Sequence, residues 1–323
     1  MRLEDWRDAD HAVVARLYER ELSRWQNELA WDTSVSWAIV EAGRQRGDVL
    51  GWILRDESGQ VRGWTYYLLF EGEIQIGALS ADRATDVRAL LDAVIDSPEA
   101  SLASSVSCFV YPAAASLLSA LRRRRFAVRR SLYLTRPLNT ESLPDQRPAP
   151  TGVRVRPYRA ADMLAAVRLL ASAYEGAPGA VCFAPHGRLD EWVRYLRQLI
   201  ERQPCGRFLA DASLVAEDVS SGRLMGTVLT TAVAPGTAHI AQVVVGPQHA
   251  GQGVGRTLLT QAFDAAGQAG YNAMTLMVDE ENAPARALYG KQGFVERSAF
   301  VSARRAGVVR VGYGTAAGRQ VAV

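Results

Sequence analysis

The amino-acid sequence begins in nearly the same way twice. The stretch "LEDWRDADHAVVARL" at 3–17 resembles "VRPYRAADMLAAVRL" at 155–169, with identical residues at a constant spacing of 152. The identical pairs are Arg7 with Arg159, Ala9 with Ala161, Asp10 with Asp162, Arg16 with Arg168, and Leu17 with Leu169. Such self-similarity is typical of a duplicated structural unit. The 323 residues also exceed what one compact core usually serves, so the sequence predicts two copies of one unit.

The order of apolar patterns identifies this unit as α/β. Each copy has two strands joined by a glycine turn, at 52–70 and at 213–233, and ends in a helix and an apolar strand. In the C-terminal copy, periodicity predicts strands near 213–219, 223–234, 238–245 and 272–278, a last strand from Phe294, and helices near 253–269 and 282–292. A further helix follows from apolar residues at spacings of three and four, which are Leu189, Trp192, Val193, Leu196, Leu199 and Ile200.

A proline-rich stretch separates the two copies. Residues 136–152 carry four prolines and follow neither the helical nor the strand period, as a linker does. We expect a first domain over 1–136, a linker over 137–152 and a second domain over 153–305. The tail over 306–323 is rich in glycine and small residues, which suggests partial disorder. Two halves packed as a pseudo-dimer would make a monomer sufficient, and a homodimer stays open.

Composition excludes several classes of function. The net charge of +3 is too small to favour nucleic acid as the main partner. No stretch approaches the length of a membrane-spanning apolar segment. The three cysteines, Cys108, Cys182 and Cys205, lie far apart without a CxxC spacing, so neither a disulfide framework nor a metal site is predicted. The start of the chain has no apolar signal segment, so we expect a cytoplasmic protein.

The stretch "VVVGPQHAGQGVGRTLL" at 243–259 carries the clearest functional signal. An apolar strand runs into a loop with glycines at 251, 253 and 255, and a helical pattern follows at once. The first N–H groups of a helix have no partner within it, and the helix dipole is positive there. Glycines let the main chain approach a ligand closely. The combination predicts an anion site, most often for phosphate, although a glycine cluster alone could also be a tight turn.

Two motifs together resemble the GNAT superfamily of acetyltransferases. The loop is similar to the family's acetyl-CoA pyrophosphate loop, (Arg or Gln)-x-x-Gly-x-(Gly or Ala), with Ala250 in place of the Arg or Gln. About thirty residues on, "ENAPARALYGKQGF" at 281–294 resembles the family's Asn-x-x-Ala-x-x-Leu-Tyr-x-(Lys or Arg)-x-Gly-Phe helix. The resemblance covers 153–301 and extends more weakly to 1–140. It implies two tandem domains, each with a central mixed, mostly antiparallel sheet flanked by helices.

The resemblance implies acetyl-CoA as co-substrate and a set of residues that bind it. Main-chain groups of the strand would hold the thioester and pantetheine arm, the loop and first helical turn would hold the pyrophosphate, and Asn282 would contact the pantetheine arm or cap its helix. The implied residues are Val243, Val244, Val245, Ala250, Gly251, Gln252, Gly253, Val254, Gly255, Arg256 and Asn282.

The resemblance also implies catalytic residues. Tyr289 would protonate the departing thiolate, or else fill space beside Phe294. His239 lies six residues before Val245, where several family members carry a glutamate or histidine base, and imidazole titrates near neutral pH; a structural role is the alternative. Strand alternation places Gln242 on the face opposite His239, where it could bind a substrate but not act as a base.

The acceptor is the least determined part of the function. In this fold the acceptor pocket would be lined by residues 174–192, with Glu175, Phe183, His186 and Asp190 as candidates and an ordinary surface loop as the alternative. The acceptor could be a small primary amine, an aminoglycoside-like compound or a protein N-terminus. Its amine would attack the thioester of acetyl-CoA directly. The rival hypothesis is a non-catalytic acyl-CoA sensor or scaffold, which the substitution at Ala250 favours.

The first half is predicted to be a degenerate copy. Its counterpart of the phosphate loop, residues 79–91, has no glycine and carries Asp82 and Asp86, which would repel a pyrophosphate. When Phe126 is set on Phe294, Leu121 replaces the tyrosine and Ala114 the asparagine. This half also holds six of the seven tryptophans, of which we expect some to face the other domain or the acceptor.

Overall fold

The computed structural model describes residues 1–70, 72–138, 149–177, 180, 183–202 and 205–307. Its strands are β1 (Arg2–Asp5), β2 (Val49–Arg55), β3 (Val61–Phe70), β4 (Glu73–Ala81), β5 (Ser105–Val110), β6 (Ala127–Pro137), β7 (Val153–Pro157), β8 (Arg207–Phe208), β9 (Leu214–Asp218), β10 (Leu224–Ala234), β11 (Thr237–Val245), β12 (Ala273–Asp279) and β13 (Val295–Ala306). Its α-helices are α1 (His11–Leu29), α2 (Ser34–Arg46), α3 (Ala84–Ile95), α4 (Pro98–Leu102), α5 (Ala115–Arg123), α6 (Met163–Ala173), α7 (Leu189–Arg197), α8 (Val254–Gln268) and α9 (Ala283–Lys291).

One continuous sheet runs through both halves, in the order β1-β2-β3-β4-β5-β13-β6-β12-β11-β10-β9-β7, with β8 paired to β10. Among the described strands, β4 with β5 and β11 with β12 are parallel, and the other pairs are antiparallel. Helices cover both faces. The predicted α/β class, with a mixed, mostly antiparallel sheet flanked by helices in each half, is confirmed, and the sheets of the two halves join into one.

The last strands of the two halves are exchanged. β6, the last strand of the first half, pairs with β12 of the second half, while β13, the last strand of the second half, pairs with β5 of the first. The two exchanged strands also pair with each other along most of their length. The division of the chain at 136 and 153 stays a prediction, and three pairs of neighbouring strands join one side of it to the other.

The ends of α5 and α9 show that the two halves share one local design. Asn282 caps α9 and Ala114 occupies the same place before α5. Each helix then ends in a left-handed residue, Gly293 with φ +81° and Arg125 with φ +61°. The glycine adopts this conformation without strain, whereas a side chain disfavours it. The alignment of Phe126 with Phe294 therefore matches the observed main chain.

An aromatic cluster fills the junction of the halves on the face away from α8 and α9. Leu29 and Trp31, at and just after the end of α1, are buried there together with Phe300 of β13. Tyr133 of β6 is fully buried, and its hydroxyl donates to the carbonyl oxygen of Leu29 at 2.9 Å. Burial of such large rings is among the strongest contributions to packing, so the first half covers part of the second half's sheet.

Periodicity located the C-terminal elements well. The predicted ends of β9, β10, β11, β12, α8 and α9 and the start of β13 each lie within one residue of those observed. The stripe from Leu189 forms α7, which continues into a π-helical turn over Gln198–Arg202. Residues 139–148 of the predicted linker and 308–323 of the predicted tail lie outside the described residues.

Candidate active site

The centre of the second half is a gap between two strands that start out parallel. β11 and β12 pair from Thr237 with Ala273 to Ile240 with Leu276, and no further. Main-chain segments 241–245 and 277–279 then diverge, and we call the space between them the β11–β12 gap. Such an opening at the ends of parallel strands is a common ligand position in α/β sheets.

A β-bulge at Ala241 sets the side chains that face this gap. β10 places Leu229 opposite Gln242 and Thr230 opposite Ile240, so Ala241 has no partner on β10. An extra residue reverses the alternation of side chains beyond it. Gln242 therefore lies on the same face as His239, towards α6 and α7. The prediction from strict alternation that the two side chains lie on opposite faces is wrong.

The main chain beyond the bulge offers polar groups to the gap. The Gly246 N–H donates to the carbonyl oxygen of Met225 on β10 at 2.8 Å. In an antiparallel ladder bonded and non-bonded pairs alternate, so Val244 bonds across to β10 as well. Val243 and Val245 consequently direct their main-chain N–H and C=O groups towards the gap. The side chains of Val243 and Val245 pack against the core beneath α8, and that of Val244 packs beneath α6.

The predicted phosphate loop opens α8 as an uncapped helix. Gly251 and Gly253 have φ values of +75° and +86°, which side chains rarely adopt. Gly253 is the residue before the helix and supplies no capping side chain, so the first N–H groups of the helix have no partner within it. At Gly255 an added Cβ would lie 3.4 Å from Val245, and the glycine thus lets the helix pack closely on β11.

Arg256 brings a positive charge to this loop. Its guanidinium nitrogen Nη2 lies 3.3 Å from the place that a Cβ on Gly253 would occupy. Ala250 has no side-chain contact to offer, and the Gln252 amide donates to the carbonyl oxygen of Gln248 at 2.9 Å. Helix dipole, glycine loop and guanidinium together favour an anion. These residues fit a pyrophosphate, and Arg256 brings a positive charge to a loop that lacks the Arg or Gln of the family motif.

Tyr289 and Asn282 come from α9. Tyr289 is 6% exposed and packs edge-to-face on Phe294, with ring centroids 5.9 Å apart. Burial, and to a lesser extent the neighbouring Tyr174, raises the pKa of Tyr289 above its ordinary value, so its hydroxyl keeps its proton at neutral pH. The Asn282 side chain accepts from the Ala285 N–H at 3.2 Å, and it therefore caps α9.

His239 is enclosed by both halves. It is 2% exposed, and its ring lies 4.9 Å from that of Trp31 and 6.2 Å from that of Tyr133. The Thr275 hydroxyl is 3.3 Å from the carbonyl oxygen of Ala238, to which it donates. It can then accept from the Nδ1–H of His239 at 2.9 Å, which leaves Nε2 as the basic nitrogen. Burial lowers the pKa of His239 to about 3, so the imidazole is neutral but weakly basic. Its role as catalytic base stays a prediction.

This burial predicts a measurable effect of pH on stability. The imidazole pKa is about 3 in the folded chain and 6.5 when unperturbed, so between these values the unfolded state binds one proton more. As the pH is lowered below 6.5, the free energy of unfolding should therefore decrease, by at most about 1.4 kcal/mol per pH unit for this group. The free energy of unfolding, measured by urea denaturation between pH 4 and 7, should depend less steeply on pH in His239→Asn than in the wild type. Equal slopes would contradict the buried neutral imidazole, and His11→Asn, at a side chain 74% exposed, should keep the wild-type slope.

Two of the five candidate acceptor residues lie together beside the gap. Phe183 packs on Tyr195 with ring centroids 4.9 Å apart. Gln242 is 4% exposed and bonds to two phenols, accepting from the Tyr195 hydroxyl and donating to the Tyr174 hydroxyl oxygen, each at 2.9 Å. The ring of Trp192 packs against that of Tyr174, with centroids 5.3 Å apart. Together these side chains form a wall beside the gap. Tyr174 and Tyr195 were not singled out by the sequence, although Tyr174 begins the stretch expected to line the pocket.

The charged candidates take other positions. Glu175 is exposed. Asp190 forms an exposed ion pair with Arg188 at 2.6 Å. The Nδ1 of His186 lies 2.6 Å from the buried carboxylate of Glu191, which also accepts from the His186 N–H at 2.9 Å. This contact fixes the turn before α7. The part of the wall that the structure describes beside Gln242 is thus aromatic and neutral.

Comparison with known proteins agrees with this geometry. Residues 170–294 match the model of the Acetyltransferase (GNAT) family. This part of the chain is therefore similar to a GNAT acetyltransferase domain. The match begins in α6 and ends just before β13, and it includes the bulged strand, the glycine loop and α9.

Curated relatives of this chain are named mycothiol acetyltransferases. The protein from Tsukamurella paurometabola is 32% identical over 184 residues, which cover 54% of this chain and 59% of that protein. The protein from Salinispora tropica is 35% identical over 198 residues, 59% of each chain. The chain thus spans less than two thirds of the length of these two relatives.

Solved structures extend the likeness to both halves. A tandem GNAT protein from the clavulanic acid biosynthesis pathway is 16% identical, with a TM-score of 0.63 over 95% of this chain and 99% of that one. A GCN5-related N-acetyltransferase from Sphaerobacter thermophilus is 19% identical, with a TM-score of 0.56 over 79% of this chain and 80% of the other. At such identities the likeness concerns the fold alone. It agrees with a tandem GNAT layout similar to that of mycothiol synthase.

The first half repeats the strand arrangement of the second half but differs from it at the gap and at the loop. β4 and β5 pair only from Glu73 with Ser105 to Ile76 with Cys108, and a bulge leaves Gly77 without a partner on β3. The Tyr66 ring covers that glycine so closely that an added Cβ would lie 2.2 Å from it. Only residues 82 and 83 separate β4 from α3, against eight between β11 and α8, so the phosphate loop has no counterpart.

Asp86 reinforces this difference in the first turn of α3. It is 2% exposed and accepts from the Thr85 hydroxyl at 3.1 Å. A carboxylate there carries the same sign of charge as a pyrophosphate. Elsewhere in the described ranges, no group of His, Cys, Asp and Glu side chains is arranged to hold a metal ion. Within the same ranges, none of the helices has the length and apolar character needed to cross a bilayer.

Proposed function

We propose that the chain transfers the acetyl group of acetyl-CoA to a primary amine, and that the transfer occurs in the second half. The observation that carries the proposal is the uncapped α8, opened by the left-handed Gly251 and Gly253 beside the β11–β12 gap. Acetyl-CoA supplies an activated thioester at that gap. The loop amides and Arg256 bind the pyrophosphate, and the main chain of Val243 and Val245 binds the pantetheine arm.

The protein must stabilise the charge on the carbonyl oxygen, protonate the departing sulfur and accept the surplus proton of the amine. The acceptor amine, unprotonated, attacks the thioester carbonyl, the carbon–sulfur bond breaks, and the electron pair leaves with the sulfur. Main-chain N–H groups at the gap stabilise the charge on the carbonyl oxygen. Tyr289 donates a hydrogen bond to the departing sulfur and is the proposed source of its proton. The surplus proton of the new amide passes to water, directly or through His239, and the phenolate of Tyr289 regains a proton from water before the next turnover.

The wall beside Gln242 guides the choice of acceptor. Aromatic rings with neutral amide and hydroxyl groups do not select a strongly cationic partner by charge, which disfavours a polyamine. The curated relatives are mycothiol acetyltransferases, so the amine that lacks mycothiol's acetyl group is the first acceptor to test. A second panel should contain an amino sugar, an aminoglycoside and a peptide N-terminus.

We expect one acetyl-CoA per chain, because the first half has neither loop nor open gap. Calorimetric titration of the full chain should give a stoichiometry near 1, and the amine panel should release free thiol with at least one acceptor. A stoichiometry near 2 would contradict the degenerate first half. Tight binding without thiol release on the whole panel would favour the acyl-CoA sensor, which Ala250 supports. No binding would overturn both functions.

A further inference from the structure

A hydrogen-bonded chain of three side chains lies beside the β11–β12 gap, and we call it the Tyr195–Gln242–Tyr174 chain. The Tyr195 hydroxyl donates to Gln242 Oε1, and Gln242 Nε2 donates to the Tyr174 hydroxyl oxygen, both at 2.9 Å. Gln242 is 4% exposed. A buried amide bonded at both ends has a fixed orientation, because reorienting it would leave polar groups unsatisfied.

The fold sets this chain at the edge of the gap. The bulge at Ala241 turns Gln242 towards α6 and α7. Tyr174 is the residue that ends α6, and its ring is held by Phe183 at 5.6 Å and by Trp192 at 5.3 Å. The hydroxyl of Tyr174 is therefore positioned from three sides, by a helix end, by two rings and by Gln242.

Tyr174 and Tyr289 approach the gap from opposite faces of the sheet. Tyr289 belongs to the core beneath α8 and α9, whereas Tyr174 packs with α6 and α7. They are nevertheless close enough that Tyr174 contributes to the raised pKa of Tyr289. If the leaving sulfur lies on the side of Tyr289, the incoming amine lies on the side of Tyr174.

We propose that Tyr174 is a positioning residue for the acceptor amine, and that Tyr195 and Gln242 hold its hydroxyl for that purpose. This inference rests on the proposed acetyltransferase function. A phenol oxygen has two lone pairs, so it can accept from Gln242 and from an amine N–H together. As the amine attacks, its nitrogen becomes positive and its N–H becomes a stronger donor. The bond is thus stronger in the transition state than in the bound ground state, and it raises kcat more than it lowers KM.

The test compares three variants with acetyl-CoA and the panel amine that the wild type acetylates fastest. Tyr174→Phe keeps the ring and its packing, and we expect kcat to fall about tenfold with acetyl-CoA affinity unchanged. Tyr195→Phe should lower kcat a few-fold, because it acts through Gln242 and Tyr174. The double variant should equal Tyr174→Phe alone, since Tyr195 has no role once the Tyr174 hydroxyl is gone.

Several results would overturn this assignment. Independent, multiplicative losses in the double variant would show that Tyr195 does not act through Tyr174. An unchanged kcat in Tyr174→Phe, or a loss confined to acetyl-CoA affinity, would remove Tyr174 from the acceptor side. If the wild type acetylates an amine and Tyr174→Phe does so equally well, only this inference fails. If the wild type transfers no acetyl group, the proposed function fails, and this inference fails with it.

Discussion

Gly253→Glu is expected to abolish acetyl-CoA binding by the full chain. The substitution acts twice at the start of α8. Gly253 has φ +86°, so any side chain strains the main chain by about 1–3 kcal/mol. The carboxylate would also stand at the helix N-terminus, where the pyrophosphate is expected. We expect affinity to fall at least about 100-fold, about 2.7 kcal/mol, as measured by calorimetric titration.

Two variants separate strain from charge and from misfolding. Gly222→Glu places the same side chain on another left-handed glycine, with φ +68° and open space around it, in the turn between β9 and β10. It should keep wild-type affinity. Gly253→Asn adds a residue that tolerates left-handed φ without adding charge, and it should fall between the wild type and Gly253→Glu. Wild-type binding by Gly253→Glu would show that the loop does not hold the pyrophosphate.

The elements of the second half were predictable because each leaves a local pattern. α8 begins where glycines give way to a helical stripe, and β11 ends in three consecutive valines. The N-cap of α9 was one of the two roles predicted for Asn282. These features depend on residues a few positions apart, which one sequence records directly.

The strand exchange was not predictable, because pairing partners are not local. β6 and β13 are both apolar strands that end a half, and nothing in their periodicity says which neighbour each will take. The same reason hid the position of His239. Its spacing from Val245 placed it on β11, but the ring of Trp31, more than two hundred residues earlier, determines its burial.

The bulge at Ala241 explains why the acceptor side was only partly found. Strict alternation put Gln242 on the wrong face, since the extra residue is visible only in the pairing with β10. The predicted carboxylates Glu175 and Asp190 are exposed in the structure. Tyr174 and Tyr195, which bond to Gln242, are indistinguishable by sequence from tyrosines that merely pack.

Tyr289→Phe should lower kcat about 100-fold or more, within the range for a lost general acid, while leaving acetyl-CoA affinity unchanged. Phenylalanine preserves the packing on Phe294, so the change removes only the hydroxyl. Steady-state thiol release gives kcat, and calorimetry gives affinity. The matched control is Tyr158→Phe, a buried tyrosine of the same half whose hydroxyl contacts the Met163 sulfur at 3.8 Å. It should leave kcat unchanged.

The pH profile offers an independent check on Tyr289. An ordinary phenol loses its proton near pH 10, and an enzyme that needs that proton would lose activity there. Burial raises the pKa of Tyr289 above this value, so the wild-type rate should rise as the acceptor amine deprotonates and stay level through pH 10. A falling limb near pH 10 that persists in Tyr289→Phe would belong to another group. The same limb, if abolished by Tyr289→Phe, would mean that the hydroxyl meets water in the working enzyme, and the enclosed tyrosine could not then be its catalytic form.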